Sequence, residues 1–82
     1  MMYKNYQSDK EEKPFKRILN INNIYYIFNL STTISELITY LGFNKNVIVI
    51  DYNGIILDKS IWELTYIRDK DSIEIFSVAG GG

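Results

Sequence analysis

The sequence predicts an α+β domain in which a mixed sheet of about five strands is crossed by one main helix. Three observations point there. Runs of β-branched and aromatic residues are bounded by tight-turn pairs, Asn22-Asn23 and Asn53-Gly54. Only the stretch from Thr33 to Gly42 carries apolar residues at helical spacing. Eighty-two residues, 46% of them apolar, suffice for one small core and not for two.

Taken in order, residues 1–14 mix charges (Lys4, Asp9, Lys10, Glu11, Glu12, Lys13) without any hydrophobic period. Burial there cannot offset the entropy of ordering, so a disordered extension is expected up to Pro14. A docking segment anchored by Tyr3 and Tyr6 is the alternative, and arginine is too scarce for a transit peptide. The folded domain is expected over 15–78, with a flexible tail at 79–82. Residues 17–22 and 24–30 read as two strands of a hairpin, because the Asn22-Asn23 pair tolerates left-handed backbone. Ser31, Thr32 and Thr33 are the N-cap candidates, and Glu36 lies three residues after Thr33, as a capping box requires. Ile34, Leu37, Ile38 and Leu41 form one apolar stripe, and Gly42 stands where a left-handed C-cap ends the helix.

Residues 44–46 read as a loop, and 47–52 as a third strand, apolar on both faces until Asp51 and therefore expected to be central. Asn53-Gly54 is the strongest hairpin signal, and Ile55, Ile56 and Leu57 return from it. Residues 58–64 read as a turn or single helical turn laying Trp62 over the core edge. Residues 68–72 form a charged turn before the last strand, 73–78. Asp69 and Asp71, an acidic pair with no acid–base partner in view, are expected to be solvated there.

The absences limit function. With no histidine and no cysteine the chain lacks the usual general base, a thiol nucleophile, a disulfide framework and soft metal ligands. An enzyme in its own right is not expected, nor a bound cofactor or metal. A net charge of −1, with Arg17 and Arg68 the only arginines, leaves no footprint for nucleic acid. No apolar run approaches the ~20 residues that span a bilayer, so a soluble protein is expected. Ile, Asn, Lys, Tyr and Phe make up about half the chain. Their AT-rich codons suggest a plastid or a low-GC bacterium, hence plastid stroma or bacterial cytoplasm.

The last stretch, Ser77-Val78-Ala79-Gly80-Gly81-Gly82, organises the functional reading. Glycines without Cβ can enter a slot too narrow for side chains, and three of them extended reach roughly 10 Å. The tail is expected to present the carboxylate of Gly82 to another protein's active site; a frayed end is the plain alternative. If Ile73 and Ile75 face the core, alternation sends Glu74, Phe76 and Val78 to the other face. A solvated Asp51 places Val47 and Val49 outward by the same parity. Val47, Val49, Phe76 and Val78 would then form an open apolar partner surface beside the tail, unless a second copy or the N-terminal extension covers it.

Hairpin, helix, hairpin and final strand is the β-grasp, or ubiquitin-like, arrangement. From about Ile18 to Gly82 the chain also resembles the ThiS family, sulfur carriers of thiamine (thiazole) biosynthesis. Thr33-Ile34-Ser35-Glu36-Leu37-Ile38 stands where the family has T-V-x-E-L-L. Val47-Ile48-Val49-Ile50-Asp51-Tyr52-Asn53-Gly54 matches its strand and N-G turn, and Ile56-Leu57-Asp58-Lys59-Ser60-Ile61-Trp62 its I-V-P-x-x-x-W segment. Asp71-Ser72-Ile73-Glu74-Ile75-Phe76 then runs toward a Gly-Gly end, as in D-x-[IV]-E-I-[VF]. Asp58 replaces a frequent proline and Lys70 a frequent glycine; both put turn geometry in question.

The resemblance implies that a ThiF-type adenylyltransferase joins Gly82 to AMP from ATP. Sulfur from a cysteine-derived persulfide, made with a cysteine desulfurase, would replace AMP and leave a thiocarboxylate for thiazole synthase. Gly82 would react, Gly80 and Gly81 would lead it in, and Ala79 with the apolar face would help dock it. Three alternatives remain open: a molybdopterin synthase small subunit, a ubiquitin-like modifier, and a plain β-grasp adaptor. The first commonly has proline before Gly-Gly and a longer helix-to-strand connection; Ser77-Val78-Ala79 and the short 44–46 loop argue against it.

Overall fold

The computed structural model describes residues 16–78. The expected extension over 1–14 and the tail over 79–82 lie outside them. Strand β1 (Arg17–Ile21) turns at Asn22 and Asn23, with φ of 51° and 69°, into antiparallel β2 (Ile24–Phe28). Both asparagines occupy the left-handed region of a type I′ turn, whose twist matches the strands it joins. Helix α1 (Ile34–Leu41) follows, and its start is the expected capping box. The Glu36 N–H donates to the Thr33 hydroxyl (3.1 Å) and the Thr33 N–H to the Glu36 carboxylate (2.9 Å). Gly42, at φ 83°, ends the helix and donates to the carbonyls of Ile38 and Thr39.

A 3₁₀ turn (Lys45–Val47) leads to β3 (Ile48–Tyr52); Asn53-Gly54 then returns the chain into the two-residue β4 (Ile55–Ile56). A second 3₁₀ segment (Lys59–Leu64) buries Trp62, whose indole N–H donates to the Leu57 carbonyl at 3.0 Å. Asp58 caps that segment by accepting from the Ser60 N–H, which holds its carboxyl below the usual range. Its φ of −61° is the angle a proline ring imposes, so one backbone geometry suits either residue. Strand β5 (Ser72–Ser77) completes a sheet of order β2-β1-β5-β3-β4. It runs parallel to β1 and antiparallel to β3. The central strand is therefore β5; β3, expected to be central, lies one position from the edge. Its two apolar faces reflect a core on one side and an open surface on the other.

One face of the sheet carries the core. Leu19, Ile21, Ile48, Ile50, Ile73 and Ile75 pack with Ile34, Leu37 and Ile38 of α1, and Trp62 and Ile67 close the cluster. Bridging hydrogen bonds from Ile34 N–H to the Thr65 carbonyl and from Ile67 N–H to Thr32 tie the helix start to the segment after Trp62.

Asp71 departs from expectation. It is buried, and its carboxylate accepts from the Tyr52 hydroxyl (2.7 Å), the Arg68 N–H (2.7 Å) and the Asn53 side-chain amide (3.1 Å). A carboxylate so supplied with donors is a structural knot at the entry to β5. Asp69 is exposed, and its carboxylate receives the Ile18 N–H. Between the two, Lys70 has φ 72°, the left-handed position that a glycine occupies without strain.

Two outcomes test this region. Lys70→Gly should raise the unfolding free energy by roughly 0.5–1 kcal/mol, the left-handed penalty less the entropy glycine adds to the unfolded chain. Burial first, then the hydrogen bond and charge of Asp71, push the Tyr52 hydroxyl up to about 12, partly opposed by Arg68. Because the folded value exceeds the ordinary 10.0, the Tyr52 contribution is complete below pH 10 and is lost as pH rises toward about 12. Urea unfolding should show Tyr52→Phe less stable at neutral pH, with the difference from the unaltered chain shrinking across that window.

Candidate partner face and the root of the tail

The site is built around β5 because that strand leads into the glycines. Ile73 and Ile75 are buried, so the pleat turns Glu74 and Phe76 to the face opposite α1. Across the ladder Phe76 stands opposite Val49, and Glu74 opposite Asp51. The Val78 N–H donates to the Val47 carbonyl at 2.7 Å, extending the β5–β3 pairing one step beyond Ser77. Val78 therefore shares the face of Phe76; the two are 39% and 47% exposed. Val49 is half-buried beneath them.

Val47 does not belong to that face. Asn44 accepts from the Asn46 N–H and winds Lys45–Val47 into a 3₁₀ turn, so strand parity begins only at Ile48. The Val47 side chain packs against the core, and what it offers the site is its carbonyl, which holds the root of the tail. Ile56, by contrast, is 61% exposed and stands opposite Asp51 on the open face. The Asn53-Gly54 turn fixes the Asp51–Ile56 register, so an outward Asp51 already implies an outward Ile56. The sequence reading missed that step. The face thus comprises Val49, Ile56, Phe76 and Val78, with Asp51 and Glu74 as an acidic pair beside them.

On its β1 side, β5 outlasts its neighbour. Backbone pairing ends with the Asn22 N–H donating to the Ile73 carbonyl at 3.0 Å. The Asn22 side chain then acts as one more peptide group: its oxygen accepts from the Ile75 N–H (2.7 Å) and its amide donates to the Ile75 carbonyl (3.3 Å). Position 75 is anchored from both sides, and Phe76 to Val78 continue along β3 alone. The predicted tail residues Ala79, Gly80, Gly81 and Gly82 lie outside the described residues.

The ThiS family model matches residues 19–82, nearly the whole folded domain and the tail. The chain belongs to the ThiS family. Among relatives, the uncharacterized protein ycf40 of Trieres chinensis is 36% identical over 62 residues, 76% of this chain and 85% of that protein. The ycf40 of Porphyra purpurea is 40% identical over 57 residues, 67% of this chain and 80% of its own length. The crystal structure of thiamine biosynthesis protein ThiS from Geobacter metallireducens matches with TM-score 0.69 at 24% identity. That match covers 79% of this chain and 99% of the other, and it establishes the β-grasp fold. Family and fold together support a sulfur-carrier role for this ThiS-family chain. No helix among the described residues is long and apolar enough to cross a membrane.

The parity assignment is open to test with neighbouring substitutions. Phe76→Asp should cost no more than about 1 kcal/mol, the scale of an exposed cross-strand pair. Ile75→Asp, one residue away, should leave a buried unpaired charge and abolish cooperative unfolding. Circular dichroism melts of the two variants give the comparison.

Proposed function

We propose that this chain is a sulfur carrier for thiazole formation, with the main-chain carboxylate of Gly82 as its one reacting group. The observation that carries the reading is continuity. A central strand with an apolar open face, its register fixed through Val78, leads into Ala79 and three glycines within one family match. A ThiF-type adenylyltransferase is the first partner. The Gly82 carboxylate attacks the α-phosphate of ATP, pyrophosphate leaves, and an acyl-adenylate forms. The terminal sulfur of a cysteine-derived persulfide attacks the acyl carbon and displaces AMP. A thiol then cleaves the resulting acyl disulfide, freeing a thiocarboxylate for thiazole synthase.

Apart from the Gly82 carboxylate itself, every nucleophile, base and metal in that sequence sits on a partner, in keeping with a chain that has neither histidine nor cysteine. Phe76, Val78, Val49 and Ile56 dock the partner, and the acidic Asp51 and Glu74 favour a cationic neighbour there. Gly80 and Gly81 let the main chain thread to the active site without a Cβ to block it. The plastid stroma is the proposed address, in line with the AT-rich codon skew and with the ycf40 relatives.

Intact mass spectrometry of the native protein should find a fraction with sulfur in place of one terminal oxygen. Deleting Gly82 should abolish sulfur transfer to thiazole synthase without lowering the melting temperature. Ladders of larger conjugates would favour a protein modifier instead, and sulfur delivered only to molybdopterin synthase would assign the chain to that pathway.

A further inference from the structure

The sheet has two edges, and they are treated differently. At one, β4 is only two residues long, Ile55–Ile56, with Asp58 and Lys59 close behind. Short, charge-flanked edges resist pairing with other chains. At the other, β2 reads Ile24-Tyr25-Tyr26-Ile27-Phe28, with no charge, proline or bulge, and no described strand beyond it. From Ile18 to Ser35 the chain carries no charged side chain at all.

The backbone of that edge is defined by the hairpin. A two-residue turn makes Ile21 and Ile24 its closing hydrogen-bonded pair, and bonded and non-bonded pairs then alternate. Leu19 with Tyr26 and Arg17 with Phe28 are the next bonded pairs. Tyr25 and Ile27 consequently aim their N–H and C=O groups away from β1, toward the open side. Beside this edge, on the helix side, runs a groove lined by Phe28, Leu30 and Tyr40, the two rings meeting edge-on at 5.8 Å. Ile24, at the opposite end of β2 and on the same sheet face, is 57% exposed.

We propose that a second copy of this chain occupies the edge, β2 pairing antiparallel with β2 about a twofold axis through Tyr26. That register sets Tyr25 opposite the partner's Ile27, so their four outward backbone groups make two hydrogen bonds at each end of the pair. It also brings each Ile24 opposite the other copy's Phe28, at the mouth of the groove: each copy supplies both knob and hole, as an isologous contact requires. No like charges meet, because the strand has none. Ile24, Tyr25, Ile27, Leu30 and Tyr40 are 57–76% exposed. Together they offer on the order of 600 Å² per copy, near the low end of stable interfaces. The result is a ten-stranded sheet and a dissociable dimer. Since β5 is parallel to β1, the two copies of β5 run in opposite directions and both partner faces stay open.

Sedimentation of the full chain from low micromolar to near millimolar concentration should show a monomer–dimer equilibrium. Tyr25→Lys should weaken the dimer roughly tenfold or more, about 1.4 kcal/mol per decade, with an unchanged melting temperature. On the unaltered chain, amide exchange at Tyr25 and Ile27 should slow as concentration rises. A monomer at every concentration overturns the proposal. So do edge amides protected in the monomer, which would place residues 1–15 on β2, and a dimer whose edge amides exchange freely.

Discussion

The structure depends on how β5 is held. Its backbone is paired on both sides, parallel to β1 and antiparallel to β3, and the turn asparagines of the two hairpins secure what the ladders leave. Asn53 brackets Ser72, accepting its N–H and donating to its carbonyl at 2.7 Å each, while Asn22 does the same for Ile75 with its side chain alone. Both residues have φ above 50°, so one residue type answers the turn's conformational demand and the strand's unpaired backbone. Parallel pairing of chain segments so far apart closes slowly in folding, and such side-chain bridges fix its register once formed.

A single sheet with a helix on one side has an inside and an outside, and alternation along β5 allots residues to each. The isoleucines at 73 and 75 are buried; Phe76 and Val78 are not. Leaving apolar groups in water is a cost that a monomer has no reason to keep unless something else covers them. Under the sulfur-carrier reading, that cover is the activating enzyme, and the fold's task is to deliver a main-chain end at a fixed distance from a docking face. Chemistry is then exported to partners, and the domain needs only rigidity up to Val78.

Much of this was legible because short-range signals were unambiguous. The Thr33–Glu36 box, Gly42 and both I′ turns depend on residues within a few positions of one another, and each formed as read. Phe76, Val78 and Val49 followed from period-two alternation. Val47 did not, because the Asn44 cap extended a 3₁₀ turn one residue into the apparent strand. Asp71 was misread for a different reason. Aspartate in a charged turn is ordinarily solvated, and its burial rests on Tyr52 and Asn53, donors nineteen and eighteen residues away in sequence.

By itself, then, the sequence determined where the chain turns, which stretch is helical and which residues of the helix and the last strand face the core, since these are encoded by local spacing; its motifs in order carried the family resemblance. Only the tertiary structure decided strand order: that β5 rather than β3 is central, that β2 is an edge strand among the described residues, and that Asn22 reaches across to Ile75. Those facts concern contacts between segments distant in sequence. Periodicity tells a strand which face is apolar, but not which neighbour will lie beside it.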